Sequence, residues 1–241
     1  YLSDKMAESE YVGNSSIKDL LGGRKFTTEP SLHLGVSIRS FRSDKLAGFI
    51  KALLDNNPVQ ASSLYNSLNN NYNIVLTRSF DKAKDWVKSK SRGTERYGLL
   101  ASSEGKRLRS IGIWVLPNIN HIRWFLNGKN HVDSSFYLEV AASEFKVQGL
   151  EIDYGILAWD ADLRYVSGNF EFYRYRGTNW NNIKIEQRKK YLKNAYRVLL
   201  TRARQGLVIF IPEGNNTDFS RKPEYYDGTY NYLKNIGIKE I

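Results

Sequence analysis

The sequence contains no cysteine, and this absence excludes several classes of site. Without thiols the chain can form neither a disulfide framework nor a thiolate metal site. The three histidines, His33, His121 and His131, are scattered and lack the spacing of metal ligands. No apolar run reaches the roughly eighteen residues of a membrane span, and the amino terminus has no signal-peptide pattern. We therefore expect a cytoplasmic protein with no membrane partner and no metal held by this chain.

A phosphate-binding loop is also missing. The pattern Gly-x-x-x-x-Gly-Lys-Ser/Thr does not occur, and the nearest stretch, Leu21–Lys25, lacks both the spacing and the hydroxyl residue. Proteins with a phosphate-binding loop usually bind magnesium through acidic residues that follow a strand, and no such acidic cluster occurs in the usual place here. The chain begins Tyr-Leu-Ser-Asp without an initiator methionine, so we expect it to be part of a longer protein.

Basic residues, in contrast, are abundant. The 241 residues include 36 Lys+Arg against 25 Asp+Glu, which gives a formal net charge of +11 and a pI of about 9.6. This balance favours a polyanionic partner such as a nucleic acid or a nucleotide. A hydrophobic content of 41% and an aromatic content of 13% indicate a folded chain. The length allows one large domain, or one domain with an appendage.

Residues 191–212 predict a helix, a tight break and a buried strand. Apolar residues first recur at helical spacing, and the β-branched run 207–211 then reads as a strand of a parallel sheet. Gly206 is the expected helix stop. Arg202 would lie at the end of a helix fastened to a sheet, where a rigid guanidinium can reach a transferring phosphate. Alternatively, the arginines of this stretch form a solvated cluster that complements the helix dipole.

The periodicity of the whole chain predicts a three-layer α/β fold with a mostly parallel sheet and helices on both faces. The predicted strands are 34–38, 73–77, 97–101, 136–142, 152–159 and 207–211. We expect residues 1–32 to be a connector and residues 33–241 to be the domain, with a hairpin insertion near 164–180. Aromatic residues alternate with arginines in that hairpin, where they could stack single-stranded bases or form a packed face.

Two groups of residues are placed to contact a polyanion. The pair Thr77-Arg78 ends a predicted strand, on the side of a parallel sheet where such folds bind ligands. The densest basic patch contains Arg92, Arg107 and Arg109, which suit phosphate contacts. A solvated charged face explains that patch about equally well.

Two stretches resemble sequence motifs of superfamily-one helicases. Residues 196–210 resemble the sixth motif, whose Leu-Thr-Arg-Ala core carries the arginine finger, and residues 144–151 resemble the fifth, with its Gln-Gly-Leu-Glu signature. Four longer stretches resemble a helicase-like family of formerly unknown function that is related to the Schlafen group-three helicase domain. They are Thr77–Trp86, Arg92–Ser102, Ser134–Glu151 and Asn194–Gly206. This resemblance covers nearly the whole chain from about residue 34.

The resemblance implies the second RecA-like domain of a superfamily-one helicase, with a P-loop NTPase fold. Arg202 would be the catalytic arginine finger. The nucleotide-binding residues would be Arg39, with Arg42 in reserve, Gln148, Gly149, Glu151 and Arg202. The carboxylate of Glu151 would accept a hydrogen bond from a ribose hydroxyl. The nucleic-acid-binding residues would be Thr77, Arg78, Arg92, Arg107 and Arg109.

The implied partners are DNA or RNA and a first RecA-like domain. ATP and Mg²⁺ would act in the longer protein, and none is expected to bind to this chain alone, because the phosphate cradle belongs to the first domain.

Two alternatives belong to other functional classes. Asp133 precedes Glu144-Phe145-Lys146 by eleven residues, which matches the loose Asp…Glu-x-Lys pattern of magnesium-dependent nucleases. Glu144 and Lys146, however, already belong to the stretch that resembles the fifth helicase motif. The second alternative is a nucleic-acid-binding module without catalysis, which shares its sequence features with half of a motor.

Overall fold

The computed structural model describes residues 24, 25, 27, 29, 41–68 and 72–241. The chain divides into two compact units, residues 1–44 and 45–241, and the elements below belong almost entirely to the second. The predicted strand 34–38 and the predicted nucleotide ligand Arg39 lie outside the described residues. Arg42 lies in the first helix.

A helix lies between each two successive strands of the central sheet, as an α/β fold requires. The helices are α1 (Phe41–Leu54), α2 (Pro58–Leu68), α3 (Phe80–Lys90), α4 (His121–Leu126), α5 (Glu186–Leu200) and α6 (Glu224–Ile236). The strands are β1 (Asn73–Thr77), β2 (Tyr97–Ala101), β3 (Trp114–Val115), β4 (Val140–Ala141), β5 (Ile152–Ala158), β6 (Leu163–Val166), β7 (Asn169–Arg176), β8 (Asn179–Asn182), β9 (Ala203–Phe210) and β10 (Lys239–Glu240). Short 3₁₀ helices span Lys106–Ile111, Ser135–Tyr137 and Phe219–Arg221.

Five parallel strands form the central sheet in the order β10-β1-β9-β5-β2. Strand β9 lies in the middle and pairs with β1 on one side and β5 on the other. All five residues of β2 are buried, as expected for a strand covered on both faces. The predicted α/β fold with a mostly parallel sheet is confirmed.

Helices cover both faces of this sheet. Alternate residues of β9 point to opposite sides: Leu207 and Ile209 pack with α1, α2, α5 and α6, whereas Val208 and Phe210 pack with α3. Ser79 caps the start of helix α3, because its hydroxyl accepts a hydrogen bond from the Lys82 N–H at 3.3 Å. The result is three layers with a separate apolar core on each face of the sheet.

The predicted hairpin insertion is a three-stranded antiparallel sheet, β6-β7-β8, which extends to residue 182. Helix α6 packs closely on its first strand, since a Cβ on Gly228 would come within 2.0 Å of the Tyr165 carbonyl oxygen. The insertion is therefore anchored to the main domain through a backbone approach that only glycine permits.

Two sequence-based predictions of elements are wrong, and one strand was not predicted. Residues 136–142 do not form a central strand: Leu138 has a φ of 59°, which breaks the extended run between the 3₁₀ helix and the two-residue β4. Gly206 does not stop a helix, because α5 ends at Leu200 and Gly206 lies inside β9, where its missing side chain admits Trp86. The strand β10 at the sheet edge was not predicted.

Candidate functional site

Four of the five predicted nucleotide-binding residues lie where the parallel strands begin: Gln148, Gly149, Glu151 and Arg202. The Gln-Gly-Leu-Glu turn leads into β5, and Arg202 directly precedes β9, the neighbouring strand. The Ile152 N–H donates to the Arg202 carbonyl oxygen at 3.2 Å, so the two motifs start side by side. Arg202 and Glu151 therefore lie at one edge of the sheet, as a shared nucleotide requires.

The Arg202 side chain is held against the end of α5. Its residue is only 9% exposed, and Nε donates to the Val198 carbonyl oxygen at 3.2 Å. Nη1 lies 3.4 Å from both the Val147 and Leu150 carbonyl oxygens, at the two ends of the Gln-Gly-Leu-Glu turn. The guanidinium thus fastens the turn to the helix, a contact that the sequence alone did not predict.

The turn itself exposes its tip. Gln148 and Gly149 are exposed, and Gly149 has a φ of 79°, which favours glycine. Because no atom lies within 4 Å of the position that a Gly149 Cβ would take, a ligand can approach the backbone there. The Leu150 N–H donates to the Val147 carbonyl oxygen at 3.1 Å and closes the turn.

A second network at the same edge centres on Asp153. Its carboxylate accepts hydrogen bonds from the Arg96 N–H at 2.7 Å, from Arg204 Nη2 at 2.6 Å and from Gln205 Nε2 at 3.2 Å. Burial by itself raises the pKa of the Asp153 carboxyl, but these donors outweigh it and hold the pKa below its usual value. The Arg204 side chain therefore points towards Asp153 of the same domain. Arg92 lies at this edge too, and it is exposed.

Thr77 and Arg78 lie at the opposite edge, where β1 ends. The Thr77 hydroxyl donates to the Ile241 carbonyl oxygen at 3.1 Å. Arg78 donates to the Pro212 carbonyl oxygen at 2.8 Å, forms an ion pair with Asp227, and lies 4.3 Å from the centroid of the Tyr230 ring. These contacts fasten the end of β1 to α6 and to the chain after β9.

Arg107 and Arg109 border a basic groove of about 730 Å³ at that same edge. Its other lining residues are Lys106, Ser110, Tyr175, Arg176 and Gly177. Arg107 forms a 2.9 Å ion pair with Asp218, whereas Arg109 is exposed and lies 4.2 Å from the centroid of the Trp114 ring. The predicted nucleic-acid ligands are thus divided, because Arg92 is at the amino edge and the other four are at the carboxyl edge.

A buried acidic network contacts the backbone of Arg107, which lines this groove. Asp160 accepts from the Arg107 N–H at 2.9 Å and from the Tyr226 hydroxyl at 3.1 Å, and Asp162 accepts from the Tyr196 hydroxyl of α5 at 2.5 Å. Burial first, and then the charge of Asp160, raises the pKa of Asp162 to about 8. Sequence reasoning missed both acids, although two aspartates directly after a buried strand are a recognisable signal.

The residues of the nuclease alternative are not assembled. Asp133 lies 3.6 Å from Arg123, close to Ser135, whose hydroxyl contacts Arg96 before β2. Glu144 accepts from the Ser103 N–H and hydroxyl after β2, at 2.9 and 2.6 Å. The two acids therefore lie near opposite ends of a five-residue strand, roughly 15 Å apart by its rise. In the part of the chain that the structure describes, no group of three His, Cys, Asp or Glu could hold a metal ion.

The comparison with protein families agrees with the sequence motifs. Residues 4–213 match the family described as Schlafen group 3, DNA/RNA helicase domain. Among solved structures, the chain is similar to the C-terminal domain of a possible DNA helicase from Lactobacillus plantarum WCFS1, with 16% identity, coverage of 79% of this chain and 92% of that chain, and a TM-score of 0.33. No curated protein matches. None of the helices in the described ranges is long and apolar enough to cross a membrane.

Proposed function

The chain belongs to the Schlafen group 3 DNA/RNA helicase domain family, and from that premise we propose that it is the second RecA-like domain of an ATP-dependent, superfamily-one-type helicase or translocase. The observation that supports this role is the meeting of Arg202 with the Gln-Gly-Leu-Glu turn at one edge of the sheet. In this proposal that edge faces ATP held by a first RecA-like domain.

Each residue of the turn then has a distinct part. The exposed backbone at Gly149 and the side chain of Gln148 approach the nucleotide, and the Glu151 carboxylate accepts a hydrogen bond from a ribose hydroxyl. Arg202 exchanges a carbonyl partner for an oxygen of the transferring phosphoryl group when the two domains close. A guanidinium suits this step because it keeps its charge and presents its donors in one plane.

The phosphate loop and the Mg²⁺ ligands belong to the first domain in this proposal. The Gly-x-x-x-x-Gly-Lys-Ser/Thr pattern is absent from all 241 residues. Since catalysis is shared across a cleft, this chain alone should hydrolyse almost no ATP. The Mg²⁺ bound with the nucleotide supplies charge neutralisation on the phosphate oxygens.

A nucleic acid, DNA or RNA, is the partner proposed for the basic groove. Arg109 is exposed there, and Arg107 and Lys106 border the same groove. Lysine and arginine at an open surface contact phosphates without reading sequence. Thr77 and Arg78 lie at the same carboxyl edge of the sheet as this groove, and Arg92 lies at the amino edge. A nucleic-acid strand that contacts all of these predicted ligands must therefore pass from one edge to the other along one side of the sheet.

Steady-state phosphate release tests the proposal. We expect no appreciable turnover by this chain alone, and ATP hydrolysis stimulated by nucleic acid in the longer protein that also contains a phosphate loop. Metal-dependent turnover by this chain alone, abolished by Glu144→Ala, would identify a different enzyme. Nucleic-acid binding without any ATP hydrolysis by the longer protein would identify a non-catalytic binding module. Either result contradicts the proposed function.

A further inference from the structure

A second and larger groove, of about 1000 Å³, lies beside the basic groove. It is bounded by α5, by the ends of β7 and β8, and by the segment that joins β4 to the Gln-Gly-Leu-Glu turn. Arg176 lines both grooves, so they adjoin at this residue. Among the described residues that were predicted to bind nucleotide or nucleic acid, Gln148 alone lines this groove, and Glu144 of the nuclease alternative lines it too.

Three large apolar side chains are exposed along the second groove. Phe145 is 67% exposed, Tyr191 is 59% exposed and Ile185 is 54% exposed. Neither aromatic residue belongs to the two apolar cores. Flat rings that remain exposed within one concave surface can stack on a planar ligand.

The charge of this groove is positive. Arg176, Lys184 and Arg188 are exposed, and no acidic side chain in the described ranges lies within ion-pair distance of them. The two acids of the groove already have partners: Glu104 forms a 2.9 Å ion pair with Arg174, and both oxygens of Glu144 accept from Ser103. The groove therefore presents three exposed cations, which suit a polyanionic ligand.

We propose that the second groove binds a single strand of nucleic acid. Arg176, Lys184 and Arg188 contact successive phosphates, and the bases stack on Phe145 and Tyr191. The strand continues through Arg176 into the basic groove. A flexible single strand can present both its charged backbone and its base faces to one groove, whereas the bases of a duplex are already stacked on each other.

This inference rests on the proposed function, because it takes a nucleic acid as the partner. It adds the place on this domain where a single strand lies, the second groove, and gives the three-stranded insertion a role in binding it. The insertion thereby acts as one wall of the track.

Binding of fluorescent oligo-dT and oligo-U to this chain, measured by anisotropy without ATP, tests the stacking. Phe145→Leu and Tyr191→Leu keep apolar bulk but remove the flat ring. Each should weaken binding by about fivefold or more, as expected for a lost base–aromatic contact. Phe219→Leu, a 57% exposed phenylalanine outside both grooves, is the matched control and should have no effect. A blunt duplex should bind the two leucine variants as it binds the wild type.

The salt dependence of the same binding tests the phosphate contacts. Arg176→Gln and Arg188→Gln should each make the slope of log K against log salt less negative by about 0.7, the value for one phosphate on a single strand. Lys90→Gln, at the exposed end of α3, should leave the slope unchanged.

Two results would overturn the proposal. Unchanged single-strand binding by both leucine variants would remove the stacking role, and equal losses for single strands and duplexes would remove the preference. Far-UV circular dichroism of each variant confirms that the fold is intact. Since these assays omit ATP, the groove proposal fails separately from the proposed function, which fails on phosphate release by the longer protein.

Discussion

Replacing Arg202 should destabilise this domain even in the absence of a nucleotide. The guanidinium is nearly buried and contacts three carbonyl oxygens, one at the end of α5 and two at the ends of the Gln-Gly-Leu-Glu turn. Alanine removes all three contacts and leaves the Val147 and Leu150 carbonyl groups without this donor. Lysine keeps the charge, but its single ammonium group cannot reproduce the planar set of donors.

The magnitude follows from the geometry. A hydrogen bond from a charged donor contributes roughly 1.5–3 kcal/mol, but distances of 3.2 to 3.4 Å place these contacts at the weak end. We expect Arg202→Ala to lower the free energy of unfolding by about 2 kcal/mol and Arg202→Lys by about half of that. Arg204→Ala should cost less than about 1 kcal/mol, because the Arg204 side chain is 57% exposed and its ion pair with Asp153 is screened by solvent.

Urea denaturation of this chain, followed by far-UV circular dichroism, measures these differences. The midpoints should fall in the order wild type, Arg204→Ala, Arg202→Lys, Arg202→Ala, with equal m-values. If Arg202→Ala is as stable as the wild type, or less affected than Arg204→Ala, the guanidinium does not fasten the turn. The structural basis of the site would then be wrong.

Two further predictions concern the fold around the site. Gly228→Ala should lower the thermal midpoint strongly, because the new Cβ would lie 2.0 Å from the Tyr165 carbonyl oxygen. The control is Gly48→Ala in α1, whose Cβ would meet only Leu64 Cδ1 at 3.8 Å and which should stabilise the protein by about 0.5–1 kcal/mol. Equal effects of the two substitutions in calorimetry would contradict the close packing of α6 on β6. Asp162 keeps its proton up to about pH 8 in the folded protein, while the unfolded chain loses it near the ordinary pKa of 3.8, so this residue makes stability fall as the pH rises between those values. Asp162→Asn should therefore show a smaller fall of the thermal midpoint between about pH 5 and pH 8, and an unchanged fall would refute the raised pKa.

The regular part of the fold was predictable because its strands are buried on both faces. The apolar runs of β1 and β2 are continuous, that of β5 is interrupted by Asp153, and each strand is bounded by polar or turn residues. Their parallel arrangement followed from the helices between them. The sequence motifs likewise placed Arg202 and Glu151 at one edge of the sheet.

The errors arose where tertiary contacts override local signals. Glycine commonly ends a helix, but Gly206 lies inside β9, where its missing side chain leaves room for the Trp86 ring. Residues 136–142 are apolar, yet the left-handed conformation of Leu138 prevents a continuous strand. The edge strand β10 has only two residues, too few for any periodicity.

Part of the candidate site was also beyond sequence reasoning. The burial of Arg202 against backbone carbonyl groups depends on how α5 approaches the turn, which no spacing encodes. The second groove forms only when the insertion lies beside α5, so the exposure of Phe145 and Tyr191 within one surface required the structure.

ATP turnover by the proposed longer protein, which would join this chain to a phosphate-loop domain, tests the central claim most directly when Arg202→Ala is measured beside Arg204→Ala. If Arg202 stabilises the charge on the transferring phosphoryl group, alanine should lower kcat by about 10³-fold or more, while nucleotide affinity changes far less. Arg202→Lys should not restore turnover, and Arg204→Ala should remain close to the wild type. Folded Arg202→Ala protein that retains wild-type kcat would contradict the assignment of this edge to the ATP cleft.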